Sequence, residues 1–111
     1  MALTEYESGS QTTSGTTEHF LGTDNDGTDG VFWLVIDLND MVDGDVLEIR
    51  MYEKARSADT VRGFKKWIIR DSQPTDELLW VSPSIPFLHN RRFSVKATAG
   101  TITLPWSTRK V

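Results

Sequence analysis

In several short segments of the chain, every second residue is apolar and the residues between are polar. This is the pattern of β-strands with one buried face. The clearest case is residues 45–54, where Leu47, Ile49 and Met51 fall on one face. Residues 31–38 are apolar on both faces, which is typical of a central strand covered on both sides. No segment has a convincing helical periodicity. The pattern therefore predicts an all-β protein.

The same reasoning, together with the turn-forming residues between segments, predicts the other strands. The predicted strands cover residues 16–21, 31–38, 45–54, 62–70, 77–81, 92–98 and 101–106, with the last two joined as a hairpin. Two prolines within residues 82–86 limit that segment to an edge strand or an extended connection. Short strands at this spacing predict an antiparallel β-sandwich, and a jelly roll is one form that such a sandwich takes.

The N-terminal residues differ from the rest in composition. Residues 8–17 contain only Ser, Thr, Gly and Gln, which cannot bury enough apolar surface to offset the entropy lost on ordering. We therefore expect residues 1–15 to be a flexible N-terminal arm and residues 16–111 to form a single β-sandwich domain.

Charge is distributed very unevenly along the chain. Residues 1–49 carry eleven acids and no Lys or Arg, whereas residues 50–111 carry five acids and all twelve bases, so the net charge of −4 conceals a polarised sequence. Two interpretations are open. The two halves could lie on different surfaces and attract a neighbouring molecule, or acidic and basic strands could lie side by side and neutralise each other locally.

No motif in the sequence predicts catalysis. The chain has no Cys, which excludes a thiolate metal site and a cysteine nucleophile. His19 and His89 are isolated and lack the spacing of a metal site, so each is interpreted as a structural or surface residue. We expect a protein that is not an enzyme and that binds no cofactor.

The tract that follows the first predicted strand resembles a calcium loop only in part. Asp24, Asp26 and Thr28 match the first three ligand positions of an EF-hand. The sixth position is Asp29 instead of Gly, and the twelfth is Val35 instead of Glu. We therefore interpret the tract as a solvated acidic turn, since Asp, Asn and Gly are common in turns, and expect no metal site.

Nucleic-acid and carbohydrate binding are weaker alternatives. Basic residues cluster at 65–66, 89–92 and 109–110, but a sequence pI near 5.0 disfavours a nucleic-acid partner. Trp80 and Trp106 lie beside prolines near the ends of strands, where they could be exposed and stack on a sugar. A carbohydrate-binding module is therefore the alternative function from a different class of protein.

The sequence gives no sign of a membrane or export segment. The longest apolar run, residues 31–36, is far shorter than the ~20 residues of a membrane span. The N-terminal residues lack the basic and apolar regions of a signal peptide. We expect a protein that is made and used without export through a membrane and that has no membrane partner.

Two stretches resemble small virion proteins of tailed bacteriophages: DLNDMVDGDVLEIRMYEK at residues 37–54, and ATAGT at 97–101 followed by LPW at 104–106. The likeness extends over residues 16–107. It implies a capsid decoration, or cement, protein: a small β-sandwich without catalytic residues that binds the outside of the head, commonly as a trimer, and bridges capsomers. Another small head or tail component is the alternative within the same resemblance.

On this reading the partners are the major capsid protein or other virion proteins, and the protein is a homo-oligomer on the capsid surface. The residues expected to contact partners are Glu5, Tyr6, Glu7, Arg91, Arg92, Arg109 and Lys110. Surplus apolar area on residues 31–38 and 62–70 is expected to add contact that salt does not weaken. Arg91 and Arg92 are taken as surface residues whose reversal to Glu would weaken docking without unfolding the domain.

Overall fold

A computed structural model describes residues 3–111, and within that range all regular secondary structure is β. The strands are β1 (Thr4–Thr12), β2 (Glu18–Phe20), β3 (Gly30–Asp37), β4 (Val46–Glu53), β5 (Arg62–Arg70), β6 (Leu79–Val81), β7 (Ile85–Phe87), β8 (Arg92–Ala99) and β9 (Thr103–Lys110). β3 and β4 lie where the apolar pattern predicts them.

The strands form two antiparallel sheets that pack face to face. Sheet A has the order β1-β9-β3-β6, with β7 paired to the other end of β3, and sheet B has the order β2-β8-β4-β5. The predicted antiparallel β-sandwich is therefore confirmed. The strand order is compatible with a jelly roll, which stays a prediction.

The core lies between the two sheets and is built from alternate residues of the central strands. Its fully buried members include Phe32, Leu34, Ile36, Leu47, Ile49, Met51, Phe93, Val95, Ile102 and Leu104. Burial of each large side chain is worth about 1.5–3 kcal/mol. At one margin the Trp67 and Trp80 rings meet edge to face at 5.0 Å, which places β5 next to β6 across the sandwich.

The N-terminal segment is a strand, so the predicted flexible arm is wrong for Thr4–Thr12. β1 pairs with β9 over most of its length. Backbone hydrogen bonds to β9 therefore order this segment, although the side chains of β1 offer little apolar surface to bury. The Tyr6 ring also packs against Phe32 with centroids 5.2 Å apart. Trp106 covers Gly9, where a Cβ would approach the indole at 3.1 Å. Met1 and Ala2, also part of the predicted arm, lie outside the described residues.

The predicted C-terminal hairpin is also wrong. β8 pairs with β2 and β4 in sheet B, whereas β9 pairs with β1 and β3 in sheet A. The connection crosses between sheets at Gly100, which has a φ of 86°. A Cβ on Gly100 would clash with the carboxylate of Asp45, so only glycine fits this crossing.

Candidate functional site

The outer face of sheet A carries a group of exposed apolar side chains, here called the apolar patch. It consists of Val31, Trp33, Leu79, Val81 and Val111, of which Leu79 is 62% and Val81 55% exposed and Trp33 is half-buried. Most of them line an open depression of about 340 Å³. Exposed apolar surface of this kind, when contiguous, is typical of protein interaction sites.

The patch follows from the position of β3 in a fold of only two layers. β3 is central in sheet A, with β9 on one side and β6 and β7 on the other. Its inner side chains Phe32, Leu34 and Ile36 fill the core, while its outer side chains have no third layer within residues 3–111 to cover them. The expectation that β3 is covered on both sides is therefore wrong: on its outer face Val31 is 36% exposed and Trp33 half-buried, while Val35 is covered by neighbours on the same face.

Charged residues border the apolar patch. Arg109 of β9 lies opposite Trp33 of β3 on one side and opposite Glu5 of β1 on the other. Glu5, Arg109, Asp37 and Leu79 line a second open depression on the same face. The structure thus brings together two of the predicted contact residues, Glu5 and Arg109, at the rim of an apolar centre, which is the usual composition of a protein interface.

Arg91 is not a surface residue, so that part of the sequence interpretation is wrong. Its side chain is 3% exposed, and its Nη2 donates to Asp26 Oδ2 at 2.9 Å. The guanidinium lies 3.7 Å from the centre of the Phe32 ring. Tyr6 Oη donates to the same Asp26 oxygen at 2.8 Å. Arg91 and Tyr6 therefore hold β1, the 24–29 loop and the start of β8 together.

The remaining predicted contact residues are also engaged within the fold. Arg92 is partly exposed, donates from Nε to Asp24 Oδ1 at 2.5 Å and lies 3.8 Å over the Phe20 ring. The Glu7 carboxylate accepts from the backbone N–H and the hydroxyl of Thr23. Lys110 is half-buried near Gly30.

The carboxylates of the acidic turn bind arginines. Asp24 pairs with Arg92 and Asp26 with Arg91, and Glu48 pairs with Arg50 and, at 3.9 Å, with Lys66. These pairs join the acidic and basic parts of the sequence locally, as the second charge interpretation proposed. Among residues 3–111, no three His, Asp or Glu side chains gather as a potential metal site.

A polar network on the outer face of sheet B was not predicted. Glu18 Oε2 accepts from Tyr52 Oη and from Ser94 Oγ, each at 2.5 Å. The three residues come from β2, β4 and β8, and the only signal in the sequence was that Tyr52 and Ser94 fall on polar faces. Ser94 is fully buried, so we interpret the network as a clamp that fixes the short β2 to its sheet.

The carboxyl groups of Glu18 and Asp26 both have lowered pKa values. Burial alone would raise the pKa of Glu18, but the Ser94 and Tyr52 hydrogen bonds and the charges of Arg50 and Arg92 outweigh it and lower that pKa. The pKa of Asp26 is also lowered: burial opposes the shift, while hydrogen bonds from Thr28 and Tyr6 and the charge of Arg91 produce it.

We expect the protein to lose stability in acid because of these two carboxylates. A carboxyl group whose pKa is lower in the folded state than in the unfolded state stabilises the folded protein when it is ionised. This stabilisation is fully present above the unfolded-state pKa, about 4, and is lost as the pH falls through the folded-state pKa. Urea unfolding at a series of pH values should show this loss below about pH 4. Glu18→Gln should make the loss shallower, whereas the exposed control Glu77→Gln should leave its slope unchanged. Equal slopes for all three proteins would contradict the role of Glu18.

No known protein family matches the chain, and neither does any curated protein or solved structure in the comparisons. The described residues include no helix that is long and apolar enough to cross a membrane. A function for the chain is therefore proposed from the surfaces of the molecule together with the sequence resemblance of residues 37–54 and 97–106.

Proposed function

We propose that this protein is a non-enzymatic structural protein of a tailed-phage particle, a decoration protein that binds the outside of the head shell and stabilises contacts between capsomers. The observation that carries the binding role is the apolar patch on sheet A, bordered by Glu5 and Arg109. The phage assignment comes from the resemblance of residues 37–54 and 97–106.

The shape of the molecule supports binding to an extended surface. The domain measures 41 × 32 × 19 Å, so it is a slab with two broad faces. A standard interface takes about 800 Å² from each partner, and one broad face of the slab is large enough to provide it. The apolar patch lies on such a face.

The mechanism is stabilisation by mass action. A protein that binds the assembled shell, but not its separated subunits, raises the free energy needed to open the shell. As a homo-oligomer, proposed to be a trimer, it would present several apolar patches at once, and linked sites bind more tightly than single ones. The protein would be made in the host cytoplasm and act on the virion surface.

Carbohydrate binding is the second candidate, and Trp33 is the observation that favours it. A half-buried indole on the outer face of a sandwich could stack on a sugar ring. The depression around it is lined by the aliphatic Val31, Val81 and Val111 and by Ser82 and Ser84. Ser82 Oγ already bonds to the backbone of Leu34 and Pro83. Within residues 3–111 this leaves Ser84 as the free polar side chain of the lining, whereas a sugar needs several polar groups placed to fix its orientation. The mainly aliphatic lining favours a protein partner.

Sedimentation with capsids tests the decoration proposal. Val81→Glu places a charge in the apolar patch, and Val42→Glu is a matched control because Val42 is 61% exposed in the β3–β4 loop. We expect the wild type and Val42→Glu to pellet with undecorated shells of the phage that encodes the protein. Val81→Glu should bind these shells at least about tenfold more weakly. Equal binding by both variants would contradict the patch, and no binding by the wild type would contradict the proposal. Quenching of tryptophan fluorescence by soluble sugars would favour the second candidate.

A further inference from the structure

The four edges of the two sheets differ in length. β2 and β6 are three residues long, while β1 and β5 are nine residues long. Along β1 and β5 one side of the backbone has no strand partner among the described residues. Proteins commonly keep edge strands short to prevent pairing with other chains, so β1 and β5 are the edges open to a partner.

The two long edges carry opposite charge. β5 contains Arg62, Lys65, Lys66 and Arg70 and no acid. Within residues 3–111, Lys66 alone of these four forms an ion pair, at 3.9 Å from Glu48. β1 contains two acids and no base, and the carboxylate of Glu5 makes no hydrogen bond or ion pair with the described residues.

A depression beside β5 offers a site for a carboxylate. It has a volume of about 390 Å³ and is lined by Arg50, Tyr52, Gly63, Phe64, Lys65 and Lys66. Arg50, Lys65 and Lys66 make its lining basic, which favours the approach of an acidic group from another molecule.

We infer that β5 of one copy pairs with β1 of a second copy, so that the acidic edge of one molecule lies against the basic edge of the next. Two β5 edges repel each other, and so do two β1 edges, whereas β1 and β5 attract. Pairing adds backbone hydrogen bonds, and Phe64 and Ile68 of β5, which are 43% and 47% exposed, add apolar contact.

This contact is heterologous, since it joins two different surfaces of the same chain. β1 is at one end of sheet A, while β5 lies against β6 at the opposite margin, as the Trp67–Trp80 contact shows. Head-to-tail contacts close into rings or extend into chains, and a closed ring of three would be the proposed trimer. The inference rests on the assembling role proposed above, but it concerns contacts between copies and not contacts with the shell.

Charge reversal at each edge tests the inference. The mass of the full chain in solution, measured by sedimentation over a range of concentrations, should rise above that of the monomer at low salt. Lys66→Glu and Glu5→Lys should each weaken association about tenfold or more. Arg56→Glu makes the same charge change at an exposed loop position and should associate as the wild type does.

Thermal unfolding of each variant checks that the domain stays folded. A wild type that is monomeric at every concentration in low salt would overturn the inference, and so would association that neither reversal weakens. A protein that associates as expected but does not bind shells would overturn only the decoration proposal. A protein that binds shells as a monomer would overturn only the contact between β1 and β5.

Discussion

Deletion of residues 1–12 should unfold the domain. β1 supplies the outer partner of β9, and Tyr6 both packs on Phe32 and donates to Asp26. Removing the strand exposes the edge of β9 and leaves the ion pair of Asp26 open to water. We expect the truncated protein to lose most of the ~5–15 kcal/mol that stabilises a typical domain, measured by thermal unfolding followed by circular dichroism.

Deletion of residues 1–3 is the matched control for the β1 deletion. Leu3 is 71% exposed and precedes the first strand, so its loss should change the melting temperature little. A stable, cooperatively folded protein that begins at residue 13 would contradict the importance of β1. Limited proteolysis of the intact protein gives an independent check, because the backbone within Thr4–Thr12 should resist cleavage as long as the domain is folded.

Arg91→Ala should destabilise the domain far more than Arg92→Ala. The change at Arg91 leaves the Asp26 carboxylate buried without its cation, and breaking a buried ion pair in this way costs about 3–5 kcal/mol. Arg92 is partly exposed and its pair with Asp24 reaches the surface, so its loss should cost about 1 kcal/mol or less. Chemical denaturation of the two variants measures the difference.

A double variant tests whether the ion pair is the cause. If the cost of Arg91→Ala comes from an unpaired Asp26, then Arg91→Ala combined with Asp26→Ala should cost less than the sum of the two single changes. Additive costs would mean that Arg91 acts mainly through its contacts with the aromatic rings. Similar stabilities for the Arg91 and Arg92 variants would contradict the buried pair altogether.

The strands with a strong local pattern could be predicted from the sequence. Residues 45–54 alternate because β4 lies with one face on the core, and residues 31–38 are apolar because the inner face of β3 fills the core while its outer face contributes to the apolar patch. Thr4–Thr12 has no such pattern, since its strand structure is imposed by β9, which is distant in the sequence. The turn near Gly100 is compatible with a hairpin when it is considered alone, and only the pairing of β9 with β1 and β3 makes it a crossing between sheets.

The candidate site was predictable in part of its apolar centre and in two residues of its charged rim, Glu5 and Arg109. Surplus apolar area was expected on residues 31–38 and 62–70, and Val31, Phe64 and Ile68 are indeed exposed. Their contact with a partner stays a prediction. Arg91 could not be distinguished from its neighbour Arg92, because its burial depends on Tyr6, Phe32 and Phe93, which surround its guanidinium from three different strands. A cluster of bases in a sequence does not reveal which of them faces solvent.

The position of β9 between β1 and β3 also determines the order in which the chain can fold. β9 follows β1 and β3 in the chain, and until it has left the ribosome β1 has no strand partner and β3 lacks one of its neighbours. Sheet A can therefore close only after β9 has been synthesised, and pairing between β1 and β9 is the kind of distant contact that slows folding to milliseconds or seconds. Until then the apolar side chains of β3 lack part of their packing, so the nascent chain is most aggregation-prone just before the eight residues of β9 take their place.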